Sequence, residues 1–359
     1  MADPQLETRL RERRHGRGWS QVELAARAGL SRAAISAIET RRVVPSTAAA
    51  LALAAALGCA VEDLFALPAG GPPPAEPWAW ERPPRERRFW RAAVGGAVLR
   101  YPVEATPVGA LPHDGLLLNA PPGEFVSAYA GDPARTLVVA GCDPAVGLLA
   151  AALARGGGPA IRVLPFVRSS RRALELLRAG KVHVAGVHLG ETRGANRRAV
   201  AKALGPDYRL VHVARWSEVV ALAPGLGLKS LVDVRRAELR WVGRERGSGA
   251  RRALDALFEG WPAAEARPAI ALEARDHRGV AEAIRSGWAQ AGVCVRLAAE
   301  EAGLEWLALG REPYDLCFAA ALEGDPRIAA VLAVLRARAF RELLQELPGY
   351  DARRAGELA

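Results

Sequence analysis

The sequence predicts an all-α N-terminal domain, a Pro-rich linker with a small β-rich connector, and a C-terminal α/β domain. Three observations predict it. Residues 20–39 carry the punctuation of two short capped helices around a glycine, residues 68–88 shift sharply toward proline, and from Thr136 onward β-type runs alternate with amphipathic helical stretches. At 359 residues, with 50% hydrophobic and 25% charged, the chain has material for two or three domains with buried cores. A net charge of +10 suits a polyanionic partner, but the arginines are spread along the whole chain, so charge alone says little about nucleic acid.

In SQVELAARAGLSRAAISAIE, Ser20 caps a helix from Gln21 to Ala28, and Glu23 at its third position completes a capping box. Gly29 ends that helix in a left-handed turn, and Ser31 caps a second helix from Arg32 to Thr40. Leu24, Ala25, Ala28, Leu30, Ile35 and Ile38 form the inward face, leaving Arg32, Ala33, Ser36 and Ala37 outward. Small outward side chains suit a helix that lies in a major groove about as wide as itself.

Residues 6–67 resemble the Cro and phage-repressor (XRE) class of helix-turn-helix domains: a basic first helix LETRLRERRHGRG, a WSQ entry, the AARAGLSRAAISAIE core and closing helices around Ser46–Leu57 and Val61–Leu67. The resemblance implies a domain over 1–67 that binds double-stranded operator DNA, as a homodimer. It puts Arg32, Ala33 and Ser36 at base edges beside the cap Ser31, and Gln21 on a phosphate. Where the family usually has Asn-Gly after the second helix, this chain has Thr40-Arg41-Arg42, and both arginines suit phosphate contact.

The N-terminus lacks the apolar core of a signal peptide and no apolar run reaches membrane-span length, so the expected compartment is the cytoplasm, with no membrane partner. Cys59, Cys142, Cys294 and Cys317 are isolated in sequence, which favours packing as small hydrophobes over a metal knuckle or disulfide framework. The stretch PAGGPPPAEPWAWERPPRERR reads as a semi-rigid linker over 68–88, whose Trp78 and Trp80 either dock on a domain or join two subunits. Residues 89–131 alternate short apolar runs with turn signals at Gly95-Gly96 and Asp114-Gly115, predicting the β-rich connector.

The α/β domain spans 132–359. TLVVAG, IRVLPF, VHVAGVHL, VVALAP, ELRWVG, the short VCVRLA and YDLCFAA read as extended, with helices through Ala154, over Ser170–Ala179, and in GARRALDALFEG and GVAEAIRSGWAQ. Strands separated by helices imply parallel sheets with ligands at the carboxyl ends of strands. Through AGCDPAVGLLAAAL, SSRRALELLRAGKVHVAGVHL, RERGSGARRALD, HRGVAEAIRSGWAQAGVCVR and GREPYDLCF, the domain resembles the two-lobed (type 2) fold of periplasmic binding proteins. The form it resembles is the cytoplasmic one, fused to DNA-binding domains or molybdopterin-pathway enzymes. The resemblance implies a second lobe over about 214–313, with crossings near Ala214 and Pro313.

In such a fold the ligand sits between lobes, where helix N-termini favour an anion. Four loops qualify: Cys142-Asp143, Ser169-Ser170, His188, and Arg246-Gly247-Ser248-Gly249-Ala250-Arg251. Ser248 with its two glycines converges N–H groups on an oxygen while Arg251 adds charge; plain helix capping is the alternative, as it is for Ser169 and Ser170. His188 is either a ligand contact or a buried histidine on a carbonyl, and His277 stands before a helix at a position that approaches the cleft. Asp143 would repel an anion, and the family more often has a neutral polar residue at Cys142.

These features predict a one-component transcriptional regulator that senses a small anion. The resemblance points to molybdate or tungstate, with a larger anionic metabolite such as a molybdenum-cofactor precursor as the alternative. No cofactor is indicated. A solute-binding protein on the same scaffold is the lesser alternative, set against the appended DNA reader and the missing export signal. No enzyme is expected, since Cys142 with His188 is the single nucleophile–base pair to nominate and no motif supports it.

Overall fold

The computed structural model describes residues 6–40, 42–66, 76–119, 122–156, 160–259 and 270–359. The described part of the chain forms two units, residues 1–75 and 76–359. Much of the Pro-rich stretch lies outside the described residues, as does Arg41. No helix among the described residues is long and apolar enough to cross a membrane.

The first unit holds β1 (Glu7–Thr8), α1 (Leu10–Gly16), α2 (Gln21–Ala28), α3 (Arg32–Glu39), α4 (Thr47–Leu57), α5 (Val61–Leu64) and β2 (Phe65–Ala66). The Ser20–Glu23 capping box forms in full, Gly29 takes φ 65°, and Ser31 accepts from the Ala34 N–H. Leu10, Leu24, Ile35, Leu53 and Leu64 are completely buried between the helices. Under them Arg14 lies against Glu39 at 2.7 and 3.1 Å and donates to the Trp19 carbonyl. The last helix is one turn long rather than running to Leu67, because Phe65 and Ala66 turn extended and pair with Thr8 and Glu7.

The second unit opens with β3 (Arg88–Val94), β4 (Ala97–Pro102), β5 (Gly115–Asn119) and β6 (Pro122–Val126), an antiparallel sheet in the order β4-β3-β5-β6. Gly95 and Gly96, both at positive φ, turn the first hairpin. Asp114 is no turn tip. It is wholly buried, accepting from the N–H groups of Arg91 and Gly131 and pairing with both terminal nitrogens of Arg162 at 2.5 and 2.7 Å. Trp80 packs edge-on against Tyr101 and Phe166, so the tryptophans of the linker dock on this unit.

The remainder runs β7 (Thr136–Gly141), α6 (Val146–Arg155), β8 (Arg162–Val167), α7 (Ser170–Arg178), β9 (Val184–Val187), α8 (Arg193–Leu204), β10 (Tyr208–Leu222), α9 (Leu231–Arg236), β11 (Trp241–Arg244), α10 (Gly249–Leu257), β12 (Ile270–Ala274), α11 (His277–Arg285), β13 (Ala291–Val295), α12 (Arg296–Glu301), β14 (Glu305–Ala319), α13 (Pro326–Arg336), α14 (Arg338–Gln345) and β15 (Tyr350–Asp351). The main path of the sheet is β12-β11-β13-β10-β14-β9-β7-β8. The sheet is not all parallel. β7, β8 and β9 are parallel in one lobe and β11, β12 and β13 in the other, while β10 and β14 run antiparallel to each other for fifteen residues each and cross both. VVALAP and YDLCFAA are each one end of such a crossing strand, and RLA of VCVRLA starts α12. Ala214 pairs with Tyr314 and Arg215 with Pro313, beside a bulge at His212–Ala214.

Candidate functional site

The first lobe supplies Cys142, just past β7, and His188, just past β9; both are buried. The His188 Nε2 and the Cys142 Sγ are 3.1 Å apart, and the His188 Nδ1 is 3.1 Å from Glu312 Oε2 on β14. Burial works against a charged ring here, but the facing Cys142 sulfur and the Glu312 carboxylate outweigh it and hold His188 up to about 10. The His188 backbone N–H donates to Ser170 Oγ. Arg252 pairs with the other Glu312 oxygen.

The second lobe contributes Arg244, the last residue of β11, and His277, the first of α11. Arg244 is 1% exposed and none of its three guanidinium nitrogens has a hydrogen-bond partner among the described residues; His277 is 0% exposed and neither of its ring nitrogens has one there. Burial, the charge of Arg244 and that of His188 all push His277 well below its ordinary range, leaving a neutral ring. From β10, Trp216 stands edge-on to both His188 and His277, and Glu218 has an unpartnered Oε1. Burial and the neighbouring Glu312 push Glu218 up to about 8. Two glycines make the packing possible. A Cβ on Gly249 would collide with the His188 ring, and one on Gly186 with the hydroxyl of Tyr314, whose ring stacks on Trp216.

The two lobes touch around this cluster. The Ser169 N–H donates to Glu245 Oε1 at 3.1 Å, and Arg278 reaches across to the Pro144 carbonyl at 2.9 Å. A buried guanidinium without acceptors costs several kcal/mol.

Cys142, His188, His277 and Gly249, all expected from sequence, thus come together, with Ser170 holding the His188 backbone. Ser248 does not offer its hydroxyl: it donates to the Glu245 carbonyl and accepts from the Arg251 N–H, the plain capping role. Arg251 is occupied by Asp255 at 3.1 Å and Glu273 at 3.6 Å, and with Ser248 lines a separate cavity of about 890 Å³. Ser169 is buried and contributes its backbone rather than a side-chain cap. Asp143 accepts from the Tyr350 hydroxyl and the Ala145 N–H, and burial raises its carboxyl. Cys142 is no simple apolar filler, since it meets His188. Sequence reasoning missed Arg244, Trp216, Glu218 and Glu312; the signal was an arginine or glutamate closing or interrupting an otherwise apolar extended run.

On the first unit Ser31, Arg32, Ala33 and Arg42 are exposed, while Ser36 is half-buried. Gln21, expected on a phosphate, spends its amide N–H on Glu39 Oε2 at 2.9 Å.

Comparison with known proteins matches the model of the PBP superfamily domain to residues 151–336, more than half of the chain. The chain belongs to the PBP superfamily. A helix-turn-helix model matches residues 10–64, so the PBP unit follows a DNA-binding domain of the XRE type. YvgK of Bacillus subtilis, described as an uncharacterized protein, is 27% identical over 188 residues, covering 50% of this chain and 59% of that one. The chain thus spans less than two thirds of that relative's length. Among solved structures, the PBP unit is similar to PhnD1 from Prochlorococcus marinus in complex with methylphosphonate, at 14% identity over 60% of this chain and 92% of that chain, with TM-score 0.43. It is also similar to CbnR, a LysR family transcriptional regulator, at 19% identity over 55% of this chain and 68% of that one, with TM-score 0.38.

Proposed function

We propose that the chain is a ligand-responsive transcriptional regulator: the helix-turn-helix domain binds operator DNA as a homodimer, and the PBP unit takes a small oxyanion as effector. The observation that carries the anion is Arg244, a buried cation with three N–H-bearing nitrogens and, among the described residues, no acceptor for any of them. An oxyanion would supply those acceptors, with His277 and the N-termini of α10 and α11 as further donors. Molybdate and tungstate lead the candidates because the α/β sequence resembles binders of those ions. A larger anionic metabolite is the second reading, favoured by the neighbouring cavity of about 890 Å³ with Arg171, Arg178, Lys202, Arg246 and Arg251 on its walls. In either case the effector leaves unchanged, and its work is to bias one conformation of the PBP unit.

The test is a thermal-shift screen of purified protein and its Arg244→Met variant against molybdate, tungstate, sulfate, phosphate and small organic anions. A ligand at a hundred times its Kd stabilises the folded state by about 2.7 kcal/mol, enough to read as a shift. A selective shift that vanishes in Arg244→Met, followed by a change in operator affinity with the same anion, supports the reading. Silence toward every anion while the protein still binds DNA refutes the oxyanion effector.

A further inference from the structure

We propose that Cys142, His188 and His277 form a binding site for a divalent cation of the zinc class, with a fourth position left open to water or an anion. The inference stands apart from the oxyanion reading, since it concerns the cation alone.

One ligand atom from each of the three residues lies within 4.8 Å of the other two, and all three side chains are buried. A tetrahedral ion with bonds of about 2.0–2.3 Å holds its ligand atoms about 3.5 Å apart, so the set closes on an ion with shifts of about an ångström. The Cys142–His188 edge, at 3.1 Å, opens slightly to do so. Glu312 sits on the His188 Nδ1, the carboxylate-to-imidazole contact that orients a histidine's other nitrogen toward a metal. His277 is the independent observation. A fully buried imidazole with neither nitrogen partnered needs something in front of it, and a cation is what a lone pair accepts.

Charge is the obvious objection, because the charges of Arg244 and of protonated His188 are felt at His277, and His188 gives up its proton to ligate the ion. It is offset by the thiolate that Cys142 becomes on binding and by Glu312, and Glu218 stands in a second cluster with His188 and Glu312 within 4.8 Å. Arg244 then stands ready to hold an anion on the ion's open position. Because Cys142 and His188 belong to one lobe and His277 to the other, the ion would tie the lobes together.

The experiment strips the full chain with a chelator and titrates it with Co2+, whose spectrum reports sulfur ligation and tetrahedral geometry. One Co2+ per chain is expected, with a sulfur-to-cobalt charge-transfer band and intense visible d–d bands, all displaced by Zn2+. Cys142→Ser should lose the charge-transfer band, His277→Gln should weaken binding at least tenfold, and Cys59→Ser should behave as wild type. Metal-free melting curves of each variant separate lost ligation from lost folding. A wild-type chain that takes up no Co2+, takes it up without the charge-transfer band, or keeps the band in Cys142→Ser overturns the proposal.

Discussion

Arg244→Met probes the anion reading at the atom that carries it. The guanidinium closes β11 at 1% exposure with no partner on any nitrogen. An oxyanion seated there gains two charge-assisted N–H bonds, each worth about 1.5–3 kcal/mol net, so removing the fork costs about 3–6 kcal/mol. That is roughly a hundredfold to twenty-thousandfold in Kd. Methionine fills much of the same volume and breaks no bond within the protein. The ligand-free variant should therefore melt at or above the wild type, because an uncompensated charge has left the interior. Arg244→Lys keeps the charge without the planar fork and should bind between the two. Calorimetric titration with the anion that gives the largest thermal shift, alongside melting of the ligand-free proteins, reads both quantities. Binding by Arg244→Met within threefold of wild type, or a ligand-free variant that melts well below it, refutes the reasoning.

On the DNA side, Arg42→Ala should weaken operator binding and lower the slope of log K against log salt by about one, read by titrations at several salt concentrations; Gln21→Ala should leave that slope alone and instead lower the stability of the helical unit, since its amide bonds Glu39. Glu39→Ala strands the buried Arg14 and should cost the helical unit about 3–5 kcal/mol, measured by denaturant unfolding of the full chain. His183, which accepts from the Val138 N–H and bonds the Ala93 carbonyl, is pushed by burial down to about 4. The unfolded chain takes up that proton near 6.5 and the folded one near 4, so its stabilising effect is complete above about pH 6.5 and is lost as pH falls to about 4, about 3 kcal/mol in all. Urea midpoints against pH should fall over that window in the wild type and stay flatter in His183→Gln.

The helix-turn-helix unit was legible because its information is local. Ser20, Glu23, Gly29 and Ser31 act within four residues of themselves, and each took the role its spacing implied. The PBP unit was legible in its βα rhythm and obscure in its crossing strands. β10 and β14 are long, cross both lobes and carry buried charges, so their sequences show neither the clean alternation of a half-exposed strand nor the apolar run of a buried one. The site shared that obscurity. Cys142, His188 and His277 could be guessed because they lie where strands end or helices begin, whereas Trp216, Glu218 and Glu312 acquire meaning only through pairing a hundred residues apart, as Trp216 does with Glu312. Ser248 misled for the opposite reason: a Gly-Ser-Gly turn at a helix start serves the cap as well as it would serve a ligand.

Where the cluster sits decides what an effector must touch. A ligand shifts a conformational equilibrium only by its difference in affinity between the two states, so one that met Arg244 and His277 alone would bind the second lobe equally well open or closed and change nothing. Closure becomes favourable when the same molecule also reaches Cys142 or His188, which belong to the other lobe. Two hydrogen bonds that cross the cleft, Ser169 to Glu245 and Arg278 to the Pro144 carbonyl, are worth about 1–3 kcal/mol each, while an unpaired buried arginine costs several kcal/mol. The unpaired charge thus weighs against the closed arrangement of the ligand-free unit, and an anion that neutralised it would favour closure.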